Sequence, residues 1–273
     1  MSLVLTTATD PAAGGPLSID LSGITPDRLA QLRLDAVNRL PIRADERPAE
    51  LGELFAISGS AADGVLECQG DFSRVHHVGA GLVAGTVRVS GSIGRHAAEG
   101  MRGGRLEVAG DAGDWLAAEL HGGEVFVGGE AGDNLAGALP GSDHGMRGGL
   151  VVIAGGAGHL AAARMRRGIV AVGGDCGDAA GFEMRAGTLV VAGRFGRHPG
   201  LGLRRGSLVA LADRPDVPAT FRRGRAWAPP YLPLVLKGLD AAGFRFVCPL
   251  PGRWRQWHGD VLAGGRGEIL HPE

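Results

Sequence analysis

A short glycine-led motif recurs through the middle of this chain, and its spacing constrains the fold more than any other feature. Anchored on the glycine before each apolar run, it reads GVLECQG at Gly64, GTVRVSG at Gly85, GRLEVAG at Gly104, GEVFVGG at Gly123, GLVVIAG at Gly149, GIVAVGG at Gly168, GTLVVAG at Gly187 and GSLVALA at Gly206. Successive anchors lie 21, 19, 19, 26, 19, 19 and 19 residues apart. The 26-residue step is one unit plus seven residues, inserted within ALPGSDHG, Ala138 to Gly145. A fixed period of this kind marks a stacked repeat. A 19-residue unit is too short for a helical-pair repeat and suits one coil of a β-solenoid, with two or three short strands and glycine corners.

Within each run the second and fourth residues after the anchor are apolar or small: Leu66/Cys68, Val87/Val89, Leu106/Val108, Val125/Val127, Val151/Ile153, Val170/Val172, Leu189/Val191 and Leu208/Ala210. Alternation with period two predicts a strand with one buried face. Eight residues after the anchor comes a second inward position: Phe72, Ile93, Ala112, Ala131, Ala157, Cys176 and Phe195. Three residues before the anchor comes a third: Leu82, Met101, Leu120, Met146, Met165, Met184 and Leu203. Eight coils at the ordinary strand spacing of about 4.8 Å make a rod of roughly 35–40 Å. Each buried Val or Leu contributes about 1.5–3 kcal/mol, so several coils are needed before the sum exceeds chain entropy.

Composition fits this reading. The 49 glycines supply corners, and four of the five methionines fall in one inward column, as core filling rather than a metal or redox cluster. Cys68 and Cys176 sit at inward positions and read as inert buried thiols; with Cys248 they form no CxxC or Cys/His cluster. The sparse cysteines, the absence of a basic-then-apolar leader and the absence of an 18-residue apolar run lead to an expected cytoplasmic location with no membrane span. Net charge is −1, which gives no global argument for a nucleic-acid or membrane partner. The nine histidines show no metal spacing along a strand face or helix, so no metal site and no catalytic constellation are expected, and His76-His77 reads as a surface pair.

The flanks read as caps, giving three segments: 1–50 as an N-terminal strand plus short helix, 51–212 as the repeat region, and 213–273 as a C-terminal extension. LSIDLSG, Leu17 to Gly23, alternates like a strand. Thr25-Pro26-Asp27 predicts a capped helix start, with the helix running to about Leu40. GELFAISG, Gly52 to Gly59, reads as an irregular capping coil. The tail predicts a helix from about Leu232 to Ala242, a strand in FRFVCPL from Phe244, and a strand pair in RWRQWHGDVLAGGRGEIL.

Function must come from outward positions. The residue after the Met/Leu column is Val83, Arg102, His121, Arg147, Arg166, Arg185 and Arg204: six of seven are basic. Stacked one per coil they form a cationic stripe, which is either a solvated face paired locally with residues such as Glu119 and Glu183, or a track for a polyanionic partner. The third residue of each run changes from charged (Glu67, Arg88, Glu107) to apolar (Phe126, Val152, Ala171, Val190, Val209), and Leu150 and Ile169 follow. Phe126, Leu150, Val152, Ile169, Val190 and Val209 therefore form an apolar face for which two occupants compete: a partner subunit, or the chain's own segment Trp227 to Leu239. Asp143-His144, in the insertion, is the best isolated polar pair and a candidate to touch a partner or substrate.

The run MRGGRLEVAGDAGDWLAAELHGGEVFVGGEAGDNLAGALPGSDHGMRGGLVVIAGGAG resembles the C subunit of formylmethanofuran dehydrogenase. Its signature is the repeated M-x-G-G-x-[LIV]-x-V-x-G-x-x-G, interrupted once by a P-G-S loop; the ending WRQWHGDVLAGGRGEIL is similar too, and the likeness spans roughly Leu51 to Leu270. The resemblance implies an all-β chain built on a right-handed parallel β-helix of about eight coils with α/β caps. It implies a non-catalytic scaffold that packs against an amidohydrolase-like subunit and a formyltransferase subunit. Archaeal members belong to molybdenum or tungsten dehydrogenases; a bacterial relative moves formyl from formyl-tetrahydromethanopterin to a methanofuran-type carrier and hydrolyses it to formate. A single lysine, Lys237, and a Gly/Ala/Arg-rich composition favour the bacterial type. The glycine repeat is also shared with the interaction domain of glutamate synthase. The implied carrier has a glutamate-rich tail, so Arg102, His121, Arg147, Arg166, Arg185 and Arg204 become the expected carrier track, with no cofactor bound by this chain alone.

Overall fold

The computed structural model describes residues 2–7, 16–246 and 252–273. The leading region holds β1 (Leu3–Thr7), β2 (Ile19–Asp20), α1 (Pro26–Leu29), α2 (Leu34–Asn38), β3 (Pro41–Ala44), β4 (Arg47–Glu50), α3 (Leu51–Leu54) and β5 (Phe55–Ser58). The repeats give β6 (Val65–Gln69), β7 (Val75–His76), β8 (Thr86–Val89), β9 (Arg105–Val108), β10 (Glu124–Val127), β11 (Leu150–Ile153), β12 (Ile169–Val172), β13 (Thr188–Val191) and β14 (Arg205–Ala210). The tail adds β15 (Arg222–Trp227), α4 (Leu232–Ala241), β16 (Trp254–Gly259) and β17 (Arg266–Pro272).

The chain is mostly β. Among the described residues thirteen strands form one sheet, ordered β15-β16-β17-β14-β13-β12-β11-β10-β9-β8-β6-β1-β5, and β4-β3-β2-β7 form a smaller one. From β6 to β14 all pairings in the large sheet are parallel and in repeat register: Leu66 faces Val87, then Leu106, Val125, Val151, Val170, Leu189 and Leu208. All the predicted inward strand residues are buried, at 4% exposure or less. The second column closes as single parallel bridges from Phe72 through Ile93, Ala112, Ala131, Ala157 and Cys176 to Phe195. In the third column each Met or Leu is fully buried. Its carbonyl accepts from the residue one unit on, as in Arg102 N–H to Leu82 (2.8 Å) and Arg204 N–H to Met184 (2.9 Å). One repeat therefore supplies three rungs, and each side chain stands over its equivalent in the previous unit.

The corners explain the glycines. Gly149 has φ 93°, and a Cβ there would stand 2.6 Å from the Gly123 carbonyl of the unit below. Another corner column uses alanine in the same left-handed region, at Ala98, Ala117, Ala136 and Ala162 (φ 53–58°). That conformation costs roughly 1–2 kcal/mol per residue. It persists because each of those N–H groups donates to the preceding unit, for example Ala117 to Ala97 (2.8 Å).

Several flank expectations change. The helix predicted to run to Leu40 is two short helices, broken where Arg33 is extended (ψ 153°). A straight helix at about 100° per residue would carry Val37 some 80° round the axis from Leu29; the break lets both be buried. Thr25 occupies the N-cap position, but its hydroxyl makes no capping bond and is buried without a partner. The predicted strand over Leu17 to Gly23 is only Ile19–Asp20. Phe244 to Phe246 form no strand, and the rest of FRFVCPL, with Cys248, lies outside the described residues. The predicted tail helix and strand pair are present as α4 and β16–β17. After the repeat signal ends at Ala212, β17 rejoins the stack parallel to β14, placing Ile269 on Leu208 and Leu270 on Val209.

Two glycine substitutions separate corner strain from ordinary propensity. Gly149→Ala should lower stability by roughly 1–3 kcal/mol, measured by denaturant unfolding. Gly238→Ala, inside α4 with nothing within 4 Å of the added carbon, should raise it by roughly 0.5–1 kcal/mol.

Candidate functional site

The third column positions the basic stripe, because each stripe residue follows a buried Met or Leu and its N–H bonds to the unit before. Arg102, His121, Arg147, Arg166 and Arg204 are exposed and Arg185 is half-buried. The expected local neutralisation by Glu119 and Glu183 does not occur on the stripe itself. Glu183 pairs with Arg164 (2.9 Å), and Glu119 accepts from the Leu139 N–H (3.4 Å). Among the described residues the nearest carboxylate contact to the stripe is Asp143 with Arg185, at 4.0 Å.

The insertion folds back over the stripe. Arg164 Nη1 donates to the Ser142 carbonyl (2.9 Å), and the Gly145 N–H donates to the Arg164 carbonyl (3.0 Å). This sets His144 between two stripe arginines: Arg166 Nη1 is 3.4 Å from His144 Nε2, and Arg185 Nη1 is 3.4 Å from His144 Nδ1. A neutral imidazole has one acceptor nitrogen, so His144 satisfies one guanidinium at a time and leaves the other donor set free. Arg204 lines a neighbouring cavity of about 420 Å³ with Glu183 and Asp260. The arrangement offers convergent N–H donors to anionic oxygens along one face.

The apolar face is occupied by the chain itself. Ala171, Val190 and Val209 are fully buried and Val152 is 6% exposed, in a second core with Leu232, Leu236 and Leu239 of α4, Phe244, Trp254 and Leu270. Phe126, Leu150 and Ile169 pack half-buried against it. At Val152, Val190 and Val209 the expectation of a partner interface is therefore corrected in favour of the competing occupant, the chain's own tail, while Phe126, Leu150 and Ile169 stay half-exposed at its margin. The physical reason is burial: α4 presents three leucines to a greasy sheet that would otherwise face water. A polar clamp fixes the helix start. The Glu268 carboxylate accepts from Ser207 Oγ (2.6 Å), from Gln256 Nε2 (2.6 Å) and from the Tyr231 hydroxyl.

Burial and the Glu268 charge push the Tyr231 phenol above its ordinary range. Burial likewise pushes the Cys68 and Cys176 thiols up to about 12, as inert thiols require. For metals, His77, His96 and Glu99 set three ligand atoms within 4.8 Å of one another. Spacing along a strand or helix did not reveal this group; a spacing of one repeat, from His77 to His96, would have.

Tyr231 is the only tyrosine, so tyrosinate absorbance reads it alone. In the native protein it should titrate well above the ordinary value of about 10, and return to that value in denaturant or in Leu236→Asp, which should also open the tail to proteolysis. Because the folded phenol is raised, its contribution to stability is complete below pH of about 10 and is lost as pH climbs through the folded value.

No protein-family profile matches the chain. The C subunit of the formyltransferase/hydrolase complex Fhc of Methylorubrum extorquens is 35% identical over 80 residues, 29% of this chain and 30% of that protein. The C subunit of the molybdenum-containing formylmethanofuran dehydrogenase 1 of Methanosarcina barkeri is 33% identical over 84 residues, 29% of this chain and 28% of that protein. The matched stretch thus spans under a third of these curated relatives. The structural likeness covers far more. A chain in the crystal structure of the formyltransferase/hydrolase complex FhcABCD from Methylorubrum extorquens, in complex with methylofuran, superposes with a TM-score of 0.90 at 34% identity, over 99% of each chain.

Proposed function

Because this chain belongs to the family of C subunits of formyltransferase/hydrolase and formylmethanofuran dehydrogenase complexes, we propose that it is the scaffold and carrier-binding subunit of a formyltransferase/hydrolase complex. In this reading the complex moves formyl from formyl-tetrahydromethanopterin to a methanofuran-type carrier and releases formate. The catalytic groups belong to an amidohydrolase-like subunit and a formyltransferase subunit, and this chain contributes none. The whole-length likeness to a chain of a bacterial complex supports this type over the molybdenum dehydrogenases, as does the single lysine. The three parallel rungs per repeat support a β-helix, whose right hand is what the family resemblance implies, and the pairing of β1 with β6 and of β17 with β14 supports residues 1–50 and 213–273 as its caps. The same reading places the complex in the cytoplasm; among the described residues no helix is long and apolar enough to cross a membrane.

The observation that carries the proposal is the basic column. Arg102, His121, Arg147, Arg166, Arg185 and Arg204 succeed one another at one position of consecutive units, largely without carboxylate partners. A carrier tail rich in carboxylates matches that column, with donors recurring at about 4.8 Å. Each exposed contact contributes only roughly 0.2–1 kcal/mol and is screened by salt. Contacts that are weak singly and repeated in series hold a tail while letting it slide.

Replacing Arg166, Arg185 and Arg204 by glutamine should therefore weaken carrier retention in the assembled complex by roughly threefold to a hundredfold, with less effect at high salt. The complex should still assemble and hydrolyse a short tail-free formyl donor. Unchanged retention at low salt would remove the carrier track from the proposal. Purification of the wild-type chain from native cells should bring down both partner subunits; elution of the chain alone would remove the scaffold role.

A further inference from the structure

We propose that His77, His96 and Glu99 form a zinc-class divalent metal site, oriented by Asp20, that clamps the first two repeat units to the N-terminal segment. The inference is independent of the carrier reading and rests on the repeat geometry. His77 and His96 occupy the same corner of consecutive units, both in the left-handed region (φ 58° and 62°). The His77 N–H donates to the Arg95 carbonyl (3.0 Å), so the rung itself sets the two rings over each other. Their centroids are 5.0 Å apart, and Trp115, next in the column, stacks on His96 at 5.2 Å with a 2° tilt. Trp115 holds the His96 ring from one side; because an imidazole lone pair lies in the ring plane, the His77 ring turns out of its stack on His96 to share a metal with it.

The ligand atoms converge on one carboxylate. Glu99 Oε2 is 2.6 Å from His96 Nδ1 and 3.9 Å from His77 Nε2. Two imidazoles and one carboxylate form an established zinc donor set, with bonds of about 2.0–2.2 Å. Ligand atoms around a tetrahedral zinc then stand roughly 3.3 Å apart. Binding therefore opens the His96–Glu99 pair by under about 1 Å and draws the His77–Glu99 pair together by a similar amount.

The fourth residue is the independent observation. His77 Nδ1 is shielded from solvent, and its polar neighbour is Asp20 Oδ1 at 3.1 Å, short of full hydrogen-bond alignment. A carboxylate on one imidazole nitrogen selects the tautomer whose other nitrogen carries the metal-binding lone pair. Asp20 is itself held in place by the Ser22 N–H (2.8 Å) and hydroxyl (2.6 Å). Asp20 lies on β2, in the smaller sheet, so a metal on His77 ties that sheet to both repeat units. His77 and His96 also line a cavity of about 480 Å³ shared with Arg43, Glu46, His76 and Arg95.

The test is titration of the untagged full chain with Co²⁺, followed by Zn²⁺. One Co²⁺ per chain should bind with visible ligand-field bands, and Zn²⁺ should displace it, as the divalent order requires. Glu99→Gln and His96→Asn should each abolish the bands; asparagine tolerates the left-handed corner. Asp20→Asn should weaken binding about 10–100-fold. His198→Asn, in the same column at the far end of the repeats, should leave binding unchanged. Circular dichroism of each variant confirms that it folds, and Glu99→Gln serves where His96→Asn does not. Absence of saturable bands overturns the proposal, and so do bands that survive in a folded Glu99→Gln variant.

Discussion

The parallel backbone hydrogen bonds between equivalent positions of successive units govern everything else in this molecule. They make each position of the repeat into a column, so a residue choice in one unit meets the same choice above and below. Inside, most columns repeat side chains of similar size, with Val and Leu prevailing on the strand, Met and Leu at the third rung and alanine at the tight corner, whereas the second column runs from Phe72 through alanines to Phe195. At the corners the same closeness excludes a Cβ, because the next carbonyl lies where it would stand, as at Gly149. The 19-residue period is the length at which three rungs and their corners all close together. The 26-residue step keeps its rungs because the seven extra residues leave the stack after Gly137, and the chain rejoins it at Gly145, whose N–H donates to the Arg164 carbonyl of the next unit.

A stack of parallel strands has two open ends and two faces, and the flanks of this chain deal with three of those surfaces. At one end β1 pairs parallel with β6, and β5 then closes antiparallel on β1. At the other, β17 adds a parallel rung to β14, and β16 and β15 turn the sheet antiparallel. An edge of repeat strands would invite another copy to continue the stack, and the reversal of direction blocks that. Over the later units α4 covers the apolar outer face, while the earlier units bear Arg88, Arg105, Glu107 and Glu124, which pair on the surface. The switch from charged to apolar outward residues between Glu107 and Val152 follows the reach of the tail.

What could be read in advance was whatever the repeat copies many times. The inward columns, the corners and the stripe were legible because seven or eight copies vote on each position. Features that occur once were not. The return of β17 to the stack follows no 19-residue spacing, so Ile269 and Leu270 read only as an ordinary strand. The break at Arg33 depends on which neighbours bury Leu29 and Val37, which no local pattern states. The landing of His144 between Arg166 and Arg185 depends on the path of an insertion with no second copy. The His77–His96–Glu99 group escaped for the opposite reason: its spacing is the repeat itself, so it joins two units and leaves no pattern along any one strand or helix.

The stripe is where column logic and electrostatics oppose each other. Two unit charges at about 4.8 Å repel by roughly 1 kcal/mol in water, and stacking sets that repulsion between each pair of neighbouring units. A polar surface with a net charge of −1 over the whole chain has acids to spare for neutralising such a column. On the outer sheet it does so: Glu67 and Glu107 flank Arg88, and Glu107 and Glu124 flank Arg105. On the stripe the acids are elsewhere. Glu183 turns to Arg164, Asp143 stays 4.0 Å from Arg185, and the insertion offers Arg166 and Arg185 an imidazole. An imidazole there, unlike a carboxylate, brings no negative charge to offset the guanidinium groups. Among the described residues the same fold thus pairs its cations closely on one face and, on the other, leaves all but Arg185 without a carboxylate within 4.0 Å.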